Sequence, residues 1–347
     1  MARHLILPIL ALLTMAGSST LLTAQTDDWV MPRTPDGKPD LQGLWSNATQ
    51  TPLERPRDLG MQQALTPEQA AELELSWRMR IENANQPSDP NRPPPTDGNT
   101  DLGYNNFWVD RGTNAAQING EYRTSLVIDP PDGRIPYLSG DRARGLAAQW
   151  RARPGVEAYD GPELRPLGER CLLSFGSSSG PPMLPVMYNN NYQIVQTPEH
   201  VMILVEMVHD ARIIPLNKSH TDHNTETWMG QSVGRWEGDT LVVETRHFHP
   251  QQTFRGASEN LTVTERFSLE SDNKLVYGVT LEDPTVFSAP WTAEIPMNRR
   301  PAGDMMYEYA CHEGNYAFSG ILAGARQLEA QGSTAPVDAA LEGEGGP

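Results

Sequence analysis

Positive charge is scarce in this chain: 27 lysines and arginines stand against 44 aspartates and glutamates, a formal net charge of −17. Phosphate backbones are held by basic stripes, and none is visible, so nucleic acid is excluded as a partner. The same shortage argues against docking to an anionic membrane surface. Long apolar runs are missing beyond the first residues, so no later segment is expected to span a bilayer. There is no internal repeat at a fixed period, and neither a collagen nor a coiled-coil pattern occurs. Cysteine is limited to Cys171 and Cys311.

What is present is an ordinary globular composition. Hydrophobic residues make up 38% of the 347, and 29 glycines with 30 prolines point to many turns and long connections. That is enough apolar material for a core, and a disordered chain is excluded. Residues 1–24 read as a secretory signal: Arg3 and His4 form a basic start, Leu5 to Gly17 an apolar run, and Leu22-Thr23-Ala24 a cleavage site before Gln25. The mature protein is therefore expected in the periplasm or outside the cell, with no membrane association after cleavage. In that oxidising setting Cys171 and Cys311 are expected to pair, closing a loop of about 140 residues and restricting the unfolded chain by about 5 kcal/mol. The alternative is a nucleophilic thiol at Cys311, its pKa lowered by the neighbouring His312.

Residues 25–100 read as an extended arm with one helix and a proline-rich loop. Thr66-Pro67-Glu68-Gln69 is a helix start, with a capping hydroxyl, proline at the first helical position and glutamine three residues on, and Ala70 to Ile81 continue it. Residues 101–331 read as a β-rich main domain. Strands are expected at Tyr122–Ile128, Tyr192–Thr197, Val201–Met207, Leu241–Thr245, Leu261–Leu269, Lys274–Glu282, Trp291–Ile295 and Met305–Ala310, with a helix at Gly140–Arg153. Short sequential strands without intervening helices pair antiparallel. The fold class is thus mainly β: an antiparallel barrel or sandwich, with a lipocalin-like barrel among the options, a mixed loop-rich N-terminal part and a C-terminal helix at Ala317–Gln331. Residues 332–347 read as a disordered acidic tail.

Two segments gather titratable groups. Glu206 to Arg212 places His209 beside Asp210 at the end of a strand, where a general base with an orienting carboxylate can sit, and Arg212 can hold substrate charge; a surface ion pair and an edge histidine is the plain alternative. His312 and Glu313 follow Cys311, whose disulfide would fix their backbone as an acid or base requires; the same residues also suit a turn leading into a helix. Asn190, within Tyr188 to Tyr192, can line a polar cleft or simply make a turn. Trp228, Trp236 and Trp291 can wall a pocket for a sugar or aromatic ring, or pack in the core. A metal site would draw on His220, His223, His247 and His249, since His-x-His on a strand sends both rings to one side. That spacing is weakly specific, and no metal or other cofactor is expected. Gly176-Ser177-Ser178-Ser179-Gly180 has neither the strand-to-helix context of a nucleophile elbow nor the lysine of a phosphate loop, and reads as a turn.

Four strings carry a likeness: PDLQGLW at 39–45, RTSLVIDPPDGR at 123–134, GRWEGDTLVV at 234–243 and YEYACHEGNY at 307–316. They resemble a family of exported bacterial proteins of uncharacterised function, over most of the chain after residue 24. The resemblance carries no established activity. It implies that Cys171, His209, Asp210, Arg212, Cys311, His312 and Glu313 belong to the family pattern, whereas His223, His247 and His249 depart from it. Two function classes follow. In the first, a hydrolase or lyase acts on a small organic or carbohydrate substrate, with His209 and Asp210 as base and orienter, His312 or Glu313 as acid, and Arg212, Asn190, Trp228 and Tyr316 binding substrate. In the second, a lipocalin-like barrel binds an apolar or aromatic small molecule. The two titratable segments tip the sequence toward the enzyme.

Overall fold

A computed structural model describes residues 29–87, 91, 109–138, 159–173, 180–221, 226–251 and 254–333. The expected signal segment, the helix at 140–153, most of the proline-rich stretch and the tail from 334 onward lie outside the described residues, as do Gly176 to Ser179. The strands are β1 (Gly43–Ser46), β2 (Ala64–Leu65), β3 (Gln117–Ile118), β4 (Glu121–Arg123), β5 (Val127–Asp129), β6 (Asn191–Gln196), β7 (His200–Val205), β8 (Ala211–Pro215), β9 (Gln231–Glu237), β10 (Thr240–Arg246), β11 (Thr262–Ser271), β12 (Lys274–Glu282) and β13 (Trp291–Arg299). The α-helices among the described residues are α1 (Pro67–Ala84), α2 (Cys311–Gly314) and α3 (Tyr316–Ala330).

Period-two alternation explains the main sheet. Val263, Glu265, Phe267 and Leu269 of β11, Leu275, Tyr277, Val279 and Leu281 of β12, and Trp291, Ala293, Ile295 and Met297 of β13 are all buried. They face one interior, and Asp272-Asn273 and Gly238-Asp239 make the tight turns between neighbouring strands. Hydrogen bonding runs in the order β8-β7-β6-β1-β13-β12-β11-β10-β9, every step antiparallel, with β5 sharing the β13 edge. The result is a nearly closed antiparallel barrel. An odd number of alternating strands leaves the two end strands pointing the same way, so the seam between β8 and β9 must be parallel. It is: Leu216 bridges Gly234 in parallel, and the Asn217 N–H donates to the Gly234 carbonyl at 2.7 Å.

The arm reading changes in one respect. β1 lies within the barrel wall, between β6 and β13, and Trp45 has no exposed surface. Its indole N–H donates to the Leu41 carbonyl at 2.9 Å, and the Arg299 guanidinium lies 4.1 Å from the ring centroid. β2, β4 and β3 form a separate small sheet, and α1 begins with the expected capping box, Thr66 accepting from the Gln69 N–H. The run Tyr122–Ile128 is two strands rather than one, because Thr124 and Ser125 turn their hydroxyls to the Gln62 and Val127 carbonyls, at 2.7 and 2.8 Å. Met305–Ala310 forms no strand; its side chains are mostly exposed and it pairs with nothing in the sheets.

The C-terminal helix is present, and the Cys171–Cys311 disulfide ties the chain just before it to the middle of the sequence. Cys311 is therefore not a free thiol. Asn315 reinforces the tie by donating to the Glu169 carbonyl at 2.7 Å. No helix among the described residues is long and apolar enough to cross a membrane.

Candidate functional site

Inside the barrel lies a buried polar cluster. Arg212 of β8 reaches Glu265 of β11 with both terminal nitrogens, Nη1 to Oε1 at 3.0 Å and Nη2 to Oε2. The Glu265 side chain has no exposed surface and that of Arg212 2%. Tyr277 donates to Glu265 Oε1 at 2.9 Å and accepts from the Met183 N–H at 3.0 Å. Arg212 also donates to Ser232 at 3.3 Å, and Ser232 shares a hydrogen bond with Thr245 at 2.8 Å. Burial opposes the charge on Arg212, but the Glu265 carboxylate overrides it and holds the guanidinium pKa up. Burial and the same carboxylate keep the Tyr277 phenol protonated. Arg212 therefore pairs with Glu265 inside the protein, and it also lines the cavity beside it.

A cavity of about 330 Å³ opens where the seam parts. It is walled by Leu172, Leu173, Trp228 and Met229, with Asp210 to Ile213 on one side and Thr227, Gly230 and Ser232 on the other. Two residues explain the gap. Pro215 has no N–H, so β8 cannot continue the parallel ladder below the Leu216–Gly234 bridge. Gly230 takes φ +69° with no room for a Cβ, which would stand 2.7 Å from Thr245 Cγ2 and 2.8 Å from the Arg246 carbonyl oxygen. There the chain swings off the seam, and β8 loses its neighbour.

Asp210 lines this cavity half-buried. Burial raises its carboxyl pKa, and the adjacent His209 opposes the rise. His209 itself points away. β7 stops at Val205, Val208 and His209 take the left-handed conformation at φ 64° and 39°, and the exposed His209 ring lies against Tyr309, Nδ1 donating to its carbonyl at 3.0 Å. The turn, not a continued strand alternation, sets where these side chains go. Glu206 is buried and accepts from Asn191 at 2.7 Å.

His312 and Glu313 stand exposed on α2, and Tyr316 is 83% exposed at the start of α3. None of the three is among the described residues lining the cavity. Asn190 is fully buried as a loop clamp: its amide donates to the Asp110 and Val186 carbonyls and accepts from the Val186 N–H. Trp228 does line the cavity, and it is braced. The His249 ring lies 4.1 Å from it, and the Arg170 guanidinium 5.7 Å from its centroid. Trp291 packs in the core against Phe287, and Trp236 is a half-buried residue of β9.

Of the histidines weighed for a metal, His223 lies outside the described residues. His220 contacts Glu244 at 3.2 Å and stands edge-on to His247 with ring centroids 5.9 Å apart; burial lowers its pKa. His249 Nδ1 accepts from the Gln251 N–H at 3.1 Å. Among the described residues no three His, Cys, Asp or Glu side chains converge as a ligand set.

Glu265, Tyr277, Ser232 and the Leu172–Leu173 wall went unnoticed in the sequence. One signal was there: Val263-x-Glu265-x-Phe267 puts a carboxylate at an inward position of an apolar alternation, which demands a buried partner. Compared with known proteins, the chain matches no family model and no curated protein.

Proposed function

We propose that this protein binds a small organic molecule with an apolar or aromatic body in the cavity at the open end of the β8–β9 seam. The observation that carries the reading is the lining itself: a braced tryptophan, two leucines and a methionine around a few polar groups, of which Asp210 is a titratable anchor. A volume near 330 Å³ suits a compact ligand. Export to the periplasm or beyond is part of the same proposal; the disulfide supports it, because such bonds persist in oxidising compartments, and so does the likeness to an exported bacterial family. The ligand is then one met outside the cytoplasm.

The test is a thermal-shift screen with aromatic and cycloaliphatic compounds of about 10 to 20 non-hydrogen atoms, 2-phenylethanol among them, a size range matched to such pockets. The expected result is a concentration-dependent rise in Tm that Trp228→Ala weakens and Ile213→Arg removes. Ile213 is 66% exposed, so an arginine there blocks the cavity without disturbing the core. A screen without hits, or hits indifferent to both substitutions, overturns the reading.

One observation favours a hydrolase or lyase as a second reading. Asp210 is a cavity carboxyl whose pKa burial raises, as a general acid needs. In that reading Asp210 is the acting acid, and His209, His312 and Glu313, which lie outside the lining, keep at most positioning roles. Turnover of nitrophenyl esters or glycosides that Asp210→Asn abolishes is its expected signature; no turnover by the wild type removes it.

A further inference from the structure

The seam has a readable register. The Asn217 N–H donates to the Gly234 carbonyl, so the odd-numbered residues of β8 and the even-numbered residues of β9 turn their main-chain groups toward the seam. The opposite edge of β8 agrees: the Val205 N–H donates to the Asp210 carbonyl and the Leu216 N–H to the Glu199 carbonyl, which places the even residues toward β7. Continued down the seam, an unbroken parallel ladder would join the Gly230 N–H to the Ala211 carbonyl and the Ile213 N–H to the Gly230 carbonyl.

Neither bond forms. The Gly230 N–H donates to the Thr227 carbonyl at 3.1 Å, and the Gly230 carbonyl accepts from the Thr227 hydroxyl at 2.8 Å. The Thr227–Gly230 turn closes on itself, and the Ala211 carbonyl and Ile213 N–H are left facing the cavity that both residues line. They form an acceptor and a donor side by side on a rigid strand edge. Residue 212 between them is anchored to the opposite wall of the lumen through Glu265, so the edge is held in place.

We infer that the ligand of this cavity carries an amide-type edge, a planar N–H beside a C=O, which takes the two hydrogen bonds that Gly230 would have made: ligand N–H to the Ala211 carbonyl, and the Ile213 N–H to the ligand carbonyl. Its apolar body then rests among Trp228, Met229, Leu172 and Leu173. The inference rests on the proposed cavity site and names its ligand class. Such an edge is offered equally by a ring lactam and by a short peptide segment.

Calorimetric titration with matched pairs tests it: oxindole against N-methyloxindole for the lactam source, and N-acetyl-L-phenylalanine methylamide against the analogue methylated on the phenylalanine's own nitrogen for the peptide source. In at least one pair the N–H form binds about tenfold more tightly than its methylated partner, as loss of a paired donor requires. Hydrogen exchange at the Ile213 amide slows by a similar factor in that complex. The pair that responds identifies the source. If 2-phenylethanol binds the cavity but methylation changes nothing in either pair, the ligand class falls while the cavity reading stands. If the N–H forms bind without protecting Ile213, the assigned hydrogen bonds are wrong. If nothing binds, both fall together.

Discussion

The Glu265 carboxylate has no exposed surface, and the Arg212 guanidinium meets it with both terminal nitrogens. Removing one partner strands the other charge, whereas removing both leaves none. Glu265→Gln is therefore expected to lower unfolding stability by about 3–5 kcal/mol. Arg212→Met combined with Glu265→Met recovers most of that loss, and urea unfolding of the three proteins measures it. Asp210 obeys a different rule. Its carboxyl is raised by burial, so the folded state binds the proton more tightly than the unfolded state does. Stability on its account is full below the ordinary carboxylate range and is lost as pH rises through the raised value. Asp210→Asn should match the wild type at low pH and exceed it at neutral pH, by no more than about 1 kcal/mol because the group is half in water. Urea midpoints across pH give the difference directly.

At the scale of elements, the seam is closed by a glycine and opened by a proline and a second glycine. A Cβ on Gly234 would stand 2.8 Å from Leu216 Cδ2 and 3.1 Å from Ile214 Cγ2, so β8 reaches β9 only across a bare backbone. Gly234→Ala should cost about 1–3 kcal/mol in overpacking and speed hydrogen exchange at the Asn217 amide, the donor across the seam. The elements most legible in the sequence are those whose partner is next in the chain. Lys274–Glu282 is recovered with the expected bounds, and β6, β7, β10 and β11 begin within one residue of expectation, because alternation and a tight turn specify them locally. β1 was legible only as an apolar island. Its four residues pair with β6 and β13, about 150 and 250 positions away, and a fragment that short acquires strand character from its neighbours. β8 was hidden because Val208 and His209 take left-handed backbone, which neither residue type announces.

The candidate site divides along the same line. Asp210, Arg212 and Trp228 were singled out from residue type and do line the cavity, Arg212 with its terminal nitrogens on Glu265; the amide of Asn190 is committed to the Asp110 and Val186 backbone. What residue type could not reveal was the pairing of Arg212 with Glu265, 53 residues apart and on opposite walls of the lumen.

At the scale of the molecule, nine alternating strands force a parallel seam, and Pro215 and Gly230 turn that forced junction into a cavity with an open strand edge. The disulfide lies close by: Leu172 and Leu173, which wall the cavity, directly follow Cys171 and so are held to the start of α2, just before the C-terminal helix. The chain carries a net charge of −17, which favours solubility through self-repulsion, and the proposed binding site is the cavity at the seam. The most direct measurement is a crystal structure of the protein grown with the N–H form that the titration finds to bind, oxindole or N-acetyl-L-phenylalanine methylamide. The account predicts the ring between Trp228 and the Ala211–Ile213 edge, with the Thr227–Gly230 turn unchanged. A seam that has closed, with the Gly230 N–H bonded to the Ala211 carbonyl and the ring bound elsewhere, would contradict it.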